Sequence, residues 1–218
     1  TVALNPQEIA VCYHQWLCGN ESGLIGYWRF DEATGESAVD NSGHGHDAAI
    51  QDSCWLASTA PIISRYAGSA LRFNGTSQYV EAAHAGELNA YPLTVTVWAK
   101  TTNATGLKGM VNKYVSASGN GYQIYLYNGR VRAWYFRDPG NYVWDGAEGL
   151  NGGIIADGHW HYLAFSVDSS GGKLYVDGAL KDSLGWTGTP GATTTTQPLR
   201  LGEYNGGYFQ GRLDEVSI

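Results

Sequence analysis

The 218-residue sequence predicts an all-β chain: a two-sheet antiparallel sandwich with one short N-terminal helix. Three observations carry this. After residue 22, short runs rich in aromatic and β-branched residues are broken by Gly, Asn and Asp turns. Asn128-Gly129 and Asp177-Gly178 lie between alternating runs and suit the left-handed backbone that a two-residue type I′ hairpin requires. The 30 glycines follow no collagen period and therefore mark turns.

Taken in order, the chain opens on a helix start. Asn5 reads as N-cap, Pro6 as the first helical residue and Glu8 as the partner that completes a capping box. Ile9, Cys12, Tyr13 and Trp16 share one face, and Gly19 ends the helix. Residues 23 to 50 then join an aromatic strand, Tyr27 to Asp31, to a Gly-rich loop carrying Asp40, Asn41, Ser42 and Asp47. Asn74-Gly75 marks a further reversal with a longer loop. Leu213 to Ile218 forms the final strand.

At this length the chain suits one large β domain, and an apolar content of 43% supplies its core. Aromatic residues are abundant, with 8 Trp and 15 Tyr. A net charge of −7 excludes a phosphate-backbone ligand, because nucleic-acid binders need clustered Lys and Arg. No window approaches the ~18 apolar residues of a membrane span, so no membrane insertion is expected. Cys12, Cys18 and Cys54 permit one disulfide and one leftover thiol, with no pairing favoured by spacing. Asn20, Asn74 and Asn103 each begin an N-glycosylation sequon.

Five stretches resemble, in order, the laminin-G-like (concanavalin A-like) jelly-roll family, of the kind repeated in large secreted bacterial proteins. They are Tyr27-Trp-Arg-Phe-Asp-Glu32, Ala70-Leu-Arg-Phe-Asn-Gly75, Gly158-His-Trp-His-Tyr-Leu-Ala-Phe165, Lys173-Leu-Tyr-Val-Asp-Gly178 and Gly211-Arg-Leu-Asp-Glu-Val-Ser-Ile218. The resemblance implies a jelly roll over residues 23–218 whose first and last strands are neighbours, bringing Asp31 towards Asp214. Ala3-Leu-Asn-Pro-Gln-Glu-Ile9 is similar to the segment that follows a domain's last strand in that family. Residues 1–22 thus read either as the tail of a preceding repeat, docking on a neighbouring copy, or as a helix packed on its own sandwich.

A strand ending in a carboxylate beside a Gly-rich loop suits a hard cation, since Ca²⁺ takes 6–8 oxygen ligands. The resemblance raises that expectation. It implies a structural Ca²⁺ held by Asp31, Asp40, Asp47 and Asp214, with backbone carbonyls of the Gly43 to His46 loop completing the shell. Four carboxylates converge only around a counterion. His44 and His46 depart from the family, which usually carries Asn there. The alternative is that Asp40 and Asn41 cap turns and the other acids are solvated.

For recognition, the Asn128-Gly129 hairpin sets Tyr127 opposite Arg130, Tyr125 opposite Arg132 and Gln123 opposite Trp134. The intervening Tyr122, Ile124, Leu126, Val131, Ala133 and Tyr135 form the core face. The first set is aromatic and cationic together, which suits stacking on sugar rings and hydrogen bonding to their hydroxyls. Loop aromatics Tyr142, Trp144, Trp186, Tyr204 and Tyr208 are further candidates. The same residue types also seal subunit interfaces or brace exposed sheets.

Catalysis has less behind it. The Glu-x-Asp-x-Glu strand motif of related glycosidases is absent, and Asp214-Glu215, being adjacent, are expected on opposite faces of their strand. His159 and His161 flank Trp160 without a nucleophile elbow. The leading expectation is a non-catalytic, extracellular carbohydrate-binding or adhesive module with structural Ca²⁺. An assembly subunit using residues 1–22 is second, and a polysaccharide-degrading enzyme third.

Overall fold

The computed structural model describes residues 3–52, 54–57 and 68–218, the side chains of Cys54 and Ala57 excepted. Helix α1 (Pro6–His14) precedes β1 (Tyr27–Trp28), β2 (Ser37–Ala38), β3 (Ala48–Gln51), β4 (Cys54–Ala57), β5 (Ser69–Asn74) and β6 (Tyr79–Ala82). A 3-10 turn, Gly86–Asn89, leads to β7 (Leu93–Lys100) and β8 (Leu107–Asn112). Then come β9 (Gly121–Tyr127), β10 (Arg130–Asp138), β11 (Asn141–Val143) and β12 (Leu150–Ile154). The chain continues through β13 (Trp160–Asp168), β14 (Gly171–Val176), β15 (Ala179–Leu184) and β16 (Leu199–Leu201). It closes with β17 (Glu203–Tyr204), β18 (Gly207–Tyr208) and β19 (Gln210–Ser217).

These strands build the expected jelly-roll sandwich. One sheet runs β15-β14-β13-β7-β19-β5-β4 with β1 also on β19; the other runs β11-β10-β9-β8-β16-β6-β3-β2 with β12 on β10. Alternation supplies the core between them: Val95, Val97, Leu163, Phe165, Leu71 and Leu213 from the first sheet meet Tyr122, Ile124, Leu126, Val131, Ala133 and Tyr135 from the second.

The turn chemistry holds. Asn128 and Gly129 have φ of 49° and 78°, and Asp177 and Gly178 have 54° and 75°. A third such pair, Asn205 and Gly206 at 47° and 77°, closes the small β17–β18 hairpin that the sequence reading treated only as a Gly-rich loop. Asn74 caps its longer loop by accepting from the backbone N–H groups of Thr76 and Ser77 at 2.8 and 3.1 Å.

Strands β1 and β19 pair as expected, Tyr27 with Ser217 and Trp28 with Val216. Two expectations about them are corrected. The first strand stops at Trp28 rather than Asp31, because Phe30 takes a φ of 57° that no strand tolerates. Asp214 and Glu215 do not face opposite ways, because Glu215 at φ 49° forms a bulge. Leu213 and Val216 both reach the core, leaving the two acids side by side between them.

Helix α1 carries the expected capping box: Asn5 Oδ1 accepts from Gln7 and Glu8 N–H, and Asn5 N–H donates to Glu8 at 2.7 Å. It ends at His14, short of Gly19, and Trp16 leaves the helical face to stack under the Arg29 guanidinium 4.5 Å away. The helix packs on the outer face of its own sheet. Ile9 is wholly buried with Trp98, Tyr162, Ala164 and Tyr175, and Tyr13 stacks on Trp98 at 5.6 Å. The contact is held by packing, since Cys12 and Cys18 are free thiols; the side chain of Cys54 lies outside the described residues. Among the described residues no helix is long and apolar enough to cross a membrane.

Candidate functional site

The β9–β10 hairpin has the register its two-residue turn dictates: Tyr127 faces Arg130, Tyr125 faces Arg132 and Gln123 faces Trp134. The outward set is nevertheless not an open surface. Arg130 is exposed and Tyr127, Arg132 and Trp134 are half-buried, whereas Tyr125 and Gln123 are 2% and 0% exposed. Chain from elsewhere covers them. The β17–β18 hairpin folds onto β8, and a Cβ on Gly109 would lie 2.4–2.6 Å from the Glu203–Tyr204 backbone, so only glycine admits it. From the other side comes the loop before β12. Tyr125 donates its hydroxyl to the Glu148 carbonyl at 2.6 Å, and the Arg132 guanidinium pairs with the Glu148 carboxylate.

The result is a trough with Trp134 at its centre. Its ring lies 4.5 Å from Tyr125, 5.4 Å from Tyr114 and 6.5 Å from Tyr204. Tyr114 continues the run to Phe136 at 5.3 Å, and Phe136 to Tyr142 at 5.0 Å and Trp144 at 5.7 Å. Tyr114, Phe136 and Glu148 escaped the sequence reading. Phe136 was legible, being two residues beyond Trp134 on the same strand face. Tyr114 and Glu148 reach the trough from loops, where periodicity gives no signal. Burial pushes the Tyr114 hydroxyl up to about 12 and the Tyr204 hydroxyl upward as well, as expected of a dry site.

Within this dry setting several polar atoms have no hydrogen-bond partner. Both ends of the Gln123 amide, the Trp134 indole N–H and the Arg132 Nε are buried and unpartnered among the described residues. Each such group costs roughly 1–3 kcal/mol in a folded protein. Four such atoms lie on three neighbouring side chains of the β9–β10 hairpin, Gln123, Arg132 and Trp134.

The other candidates divide. Tyr142 and Trp144 extend the trough, Tyr204 walls it, and Tyr208 sits half-buried in the same hairpin as Tyr204. Trp186 is corrected: its ring packs on Tyr91 and Tyr135 at the core's edge, and its indole N–H donates to the Asp168 carbonyl at 2.7 Å. His161 is a brace, held by Asp177 at 2.8 Å and Asp157 at 3.2 Å. Those bonds, Asp177 foremost, raise its pKa.

The four aspartates do not form a common cage for Ca²⁺. No three of them bring carboxylate oxygens within 4.8 Å of one another. Asp40 accepts from the backbone N–H groups of Tyr27, Ser42 and His46, each at 2.9 Å, and so ties the loop to β1. Burial alone would raise its pKa; those hydrogen bonds outweigh burial and lower it. Asp47 caps the Asp40 N–H at 2.8 Å, Asp31 accepts from Ser69 and faces Arg29 at 3.2 Å, and Asp214 accepts from Glu215. The turn-capping alternative describes Asp40, and the Ca²⁺ expectation resting on this set does not fit.

Comparison with known proteins follows the architecture. Domain 4 of AbnA, an extracellular GH43 arabinanase from Geobacillus stearothermophilus, in complex with arabinotriose, superposes with a TM-score of 0.58 at 20% identity, covering 89% of this chain and 90% of that one. The binding domain of botulinum neurotoxin DC in complex with rat synaptotagmin II gives 0.64 at 10% identity, over 92% of this chain and 48% of that one. Trypanosoma rangeli sialidase in complex with 2,3-difluorosialic acid gives 0.64 at 14% identity, over 91% and 30%. The chain thus spans about half of the neurotoxin domain and under a third of the sialidase, and at these identities the likeness is one of fold. A search of curated proteins gives no match. The laminin-G-type profile of the concanavalin A-like lectin/glucanases superfamily matches residues 74–218, well over half of the sequence, and the chain belongs to that superfamily.

Proposed function

We propose that the chain is a non-catalytic carbohydrate-binding module of an extracellular protein, and that the Trp134 trough takes the glycan. The observation that carries this reading is the pair Trp134 and Gln123: a half-open indole ring beside a buried amide with neither end satisfied. A sugar presents an apolar C–H face that stacks on an aromatic ring, and hydroxyls that both donate and accept. No hydrogen bond holds the Trp134 indole N–H, so the ring is fixed by packing alone. The arabinotriose bound to the arabinanase domain supports a saccharide ligand for this fold.

A binding role is favoured over hydrolysis by the carboxylates that border the trough. Glu148 is paired with Arg132, Asp138 with Asn141 and Arg137, and Glu203 with Arg200. Glycoside hydrolysis needs one free acid and one free base on either side of the scissile bond. Single-site affinity is modest in such a module, and linked copies gain through effective concentration.

The test is a glycan array followed by titration calorimetry, with Trp134→Ala and Arg130→Ala alongside. Trp134→Ala is expected to weaken binding at least tenfold with an unchanged circular dichroism spectrum. Arg130, exposed at the hairpin tip, is expected to matter less. Binding that survives Trp134→Ala moves the site elsewhere, and product formation from any bound polysaccharide replaces the module with an enzyme.

A further inference from the structure

We infer that His44, His46 and Glu87 form a binding site for a borderline divalent transition ion of the Zn²⁺ class, separate from the glycan trough. The two lie at opposite ends of their sheet, the trough on β10 and β11 and the ion site beside the loop that joins β2 to β3.

Local backbone makes the site. Gly43 and Gly45 adopt φ of 83° and 77°, and the chain folds so that the His44 and His46 rings stack with centroids 6.1 Å apart and planes inclined by 24°. Glu87 comes to them from the 3-10 turn between β6 and β7, with Oε2 2.9 Å from His44 Nδ1 and 3.4 Å from His46 Nε2. Ligand atoms from all three residues lie within 4.8 Å of one another, and among the described residues no other group of three His, Cys, Asp or Glu side chains does so.

The dimensions suit a small ion. Ligands about 2.0–2.1 Å from a tetrahedral Zn²⁺ stand roughly 3.3–3.4 Å apart. The Glu87–His46 separation of 3.4 Å already has that value, and Glu87, exposed at its carboxylate, needs to retreat only a few tenths of an ångström from His44. His46 is preset for the role. Its N–H donates to Asp40 Oδ2 at 2.9 Å, its carbonyl accepts from Trp28 Nε1 at 3.0 Å, and its Nε2 is buried with no hydrogen-bond partner.

The donor set decides the ion. Two imidazoles and one carboxylate suit Zn²⁺, Co²⁺, Ni²⁺ or Cu²⁺, whereas Ca²⁺ and Mg²⁺ demand oxygen throughout. Three protein ligands leave a fourth position for water, on the side of the cleft lined by Asn20, Glu21, Ser42 and His44. Bound there, the ion would clamp the loop between β2 and β3 to the turn ahead of β7, two segments more than 40 residues apart in sequence. Asp40 takes part indirectly, spending its oxygens on the backbone that presents His46.

The test uses chain prepared without a polyhistidine tag and stripped with chelator. Calorimetry with Zn²⁺ is expected to give one site per chain, with a rise in Tm of several degrees at saturation; Ca²⁺ is expected to give neither. Co²⁺ should produce visible d–d bands of four-coordinate strength that Zn²⁺ abolishes, a readout that requires no variant. His46→Gln should lower Zn²⁺ affinity at least 30-fold and remove the Tm gain while leaving the metal-free Tm nearly unchanged. Glu87→Gln should weaken binding less. Absence of the Co²⁺ bands overturns the inference, as does Zn²⁺ affinity equal in the parent and in His46→Gln, which would place the ion elsewhere on the chain.

Discussion

Trp134 and Gln123 stand directly opposite one another across β9 and β10, with the indole N–H and both ends of the amide unpartnered. With Arg132 Nε two residues along β10, the pair concentrates unsatisfied polar groups on one patch of the sheet. Buried unsatisfied groups weaken a fold, and their presence at the centre of an aromatic trough is the feature on which the proposed glycan site rests.

The first prediction separates those two effects. Gln123→Leu replaces an unsatisfied amide by an apolar side chain of similar size, so stability should rise by about 1 kcal/mol. Glycan binding should fall at least tenfold in the same variant. Urea denaturation and calorimetry on one preparation check both, and a loss of stability would mean that water satisfies the amide in the free protein.

Asp40 tests the loop. Its carboxylate accepts three backbone N–H groups, and Asp40→Ala should lower stability by roughly 2–4 kcal/mol at neutral pH. Because its folded-state pKa is lowered, this contribution is present above the unfolded value of about 3.9 and is lost as pH falls through the folded one. Parent and variant should therefore converge in denaturation midpoint as acidification protonates the folded-state carboxylate. A gap that stays constant on acidification would show that the loop is held by something else.

Glu215 acts in the opposite sense and in a different range. Burial pushes its carboxyl up to about 7, against the lowering effect of the Tyr27 hydroxyl that donates to it and of Arg29. Between the unfolded value of about 4.3 and that folded value the native state holds more protons, so stability is full below the window and declines as pH rises through it. Tm should be higher at pH 5 than at pH 8, and Glu215→Gln should remove most of the difference. His161, whose pKa is raised, contributes with the same sign, and His84, whose pKa is lowered, with the opposite one. A Tm that climbs from pH 5 to pH 8 would refute the assignment.

Ile9 reports on the N-terminal helix. It is fully buried against Trp98, Tyr162 and Tyr175, and truncation to Ala should cost about 2–4 kcal/mol. With the helix on its own sheet, the parent should sediment as a monomer at all concentrations and the variant should lose stability without changing mass. A dimer that dissociates in Ile9→Ala would mean that the helix exchanges between copies in solution.

Much of the architecture was legible because it rests on local rules. The left-handed pairs Asn128-Gly129 and Asp177-Gly178 fix two hairpins, and the first also fixes which side chains of β9 and β10 face each other. Asn5, Pro6 and Glu8 fix the helix start. The limits of local reading are equally specific. Nothing short-range announces that Phe30 turns left-handed, that Glu215 bulges, or that α1 ends at His14.

For the site, the sequence by itself determined the cross-strand pairs Gln123–Trp134 and Tyr125–Arg132, because a two-residue turn leaves a single register and side chains alternate with period two. Only the tertiary structure decided what those pairs face. Glu203–Tyr204 and Glu148 arrive over the sheet from segments distant in sequence, burying Gln123 and Tyr125 and enclosing Trp134. The same holds for ligating side chains: family resemblance suggested Asp31, Asp40, Asp47 and Asp214, whereas folding brought Glu87 to His44 and His46 and set Asp40 on backbone N–H groups. Coverage and coordination depend on which distant segments meet, and periodicity carries no information about that.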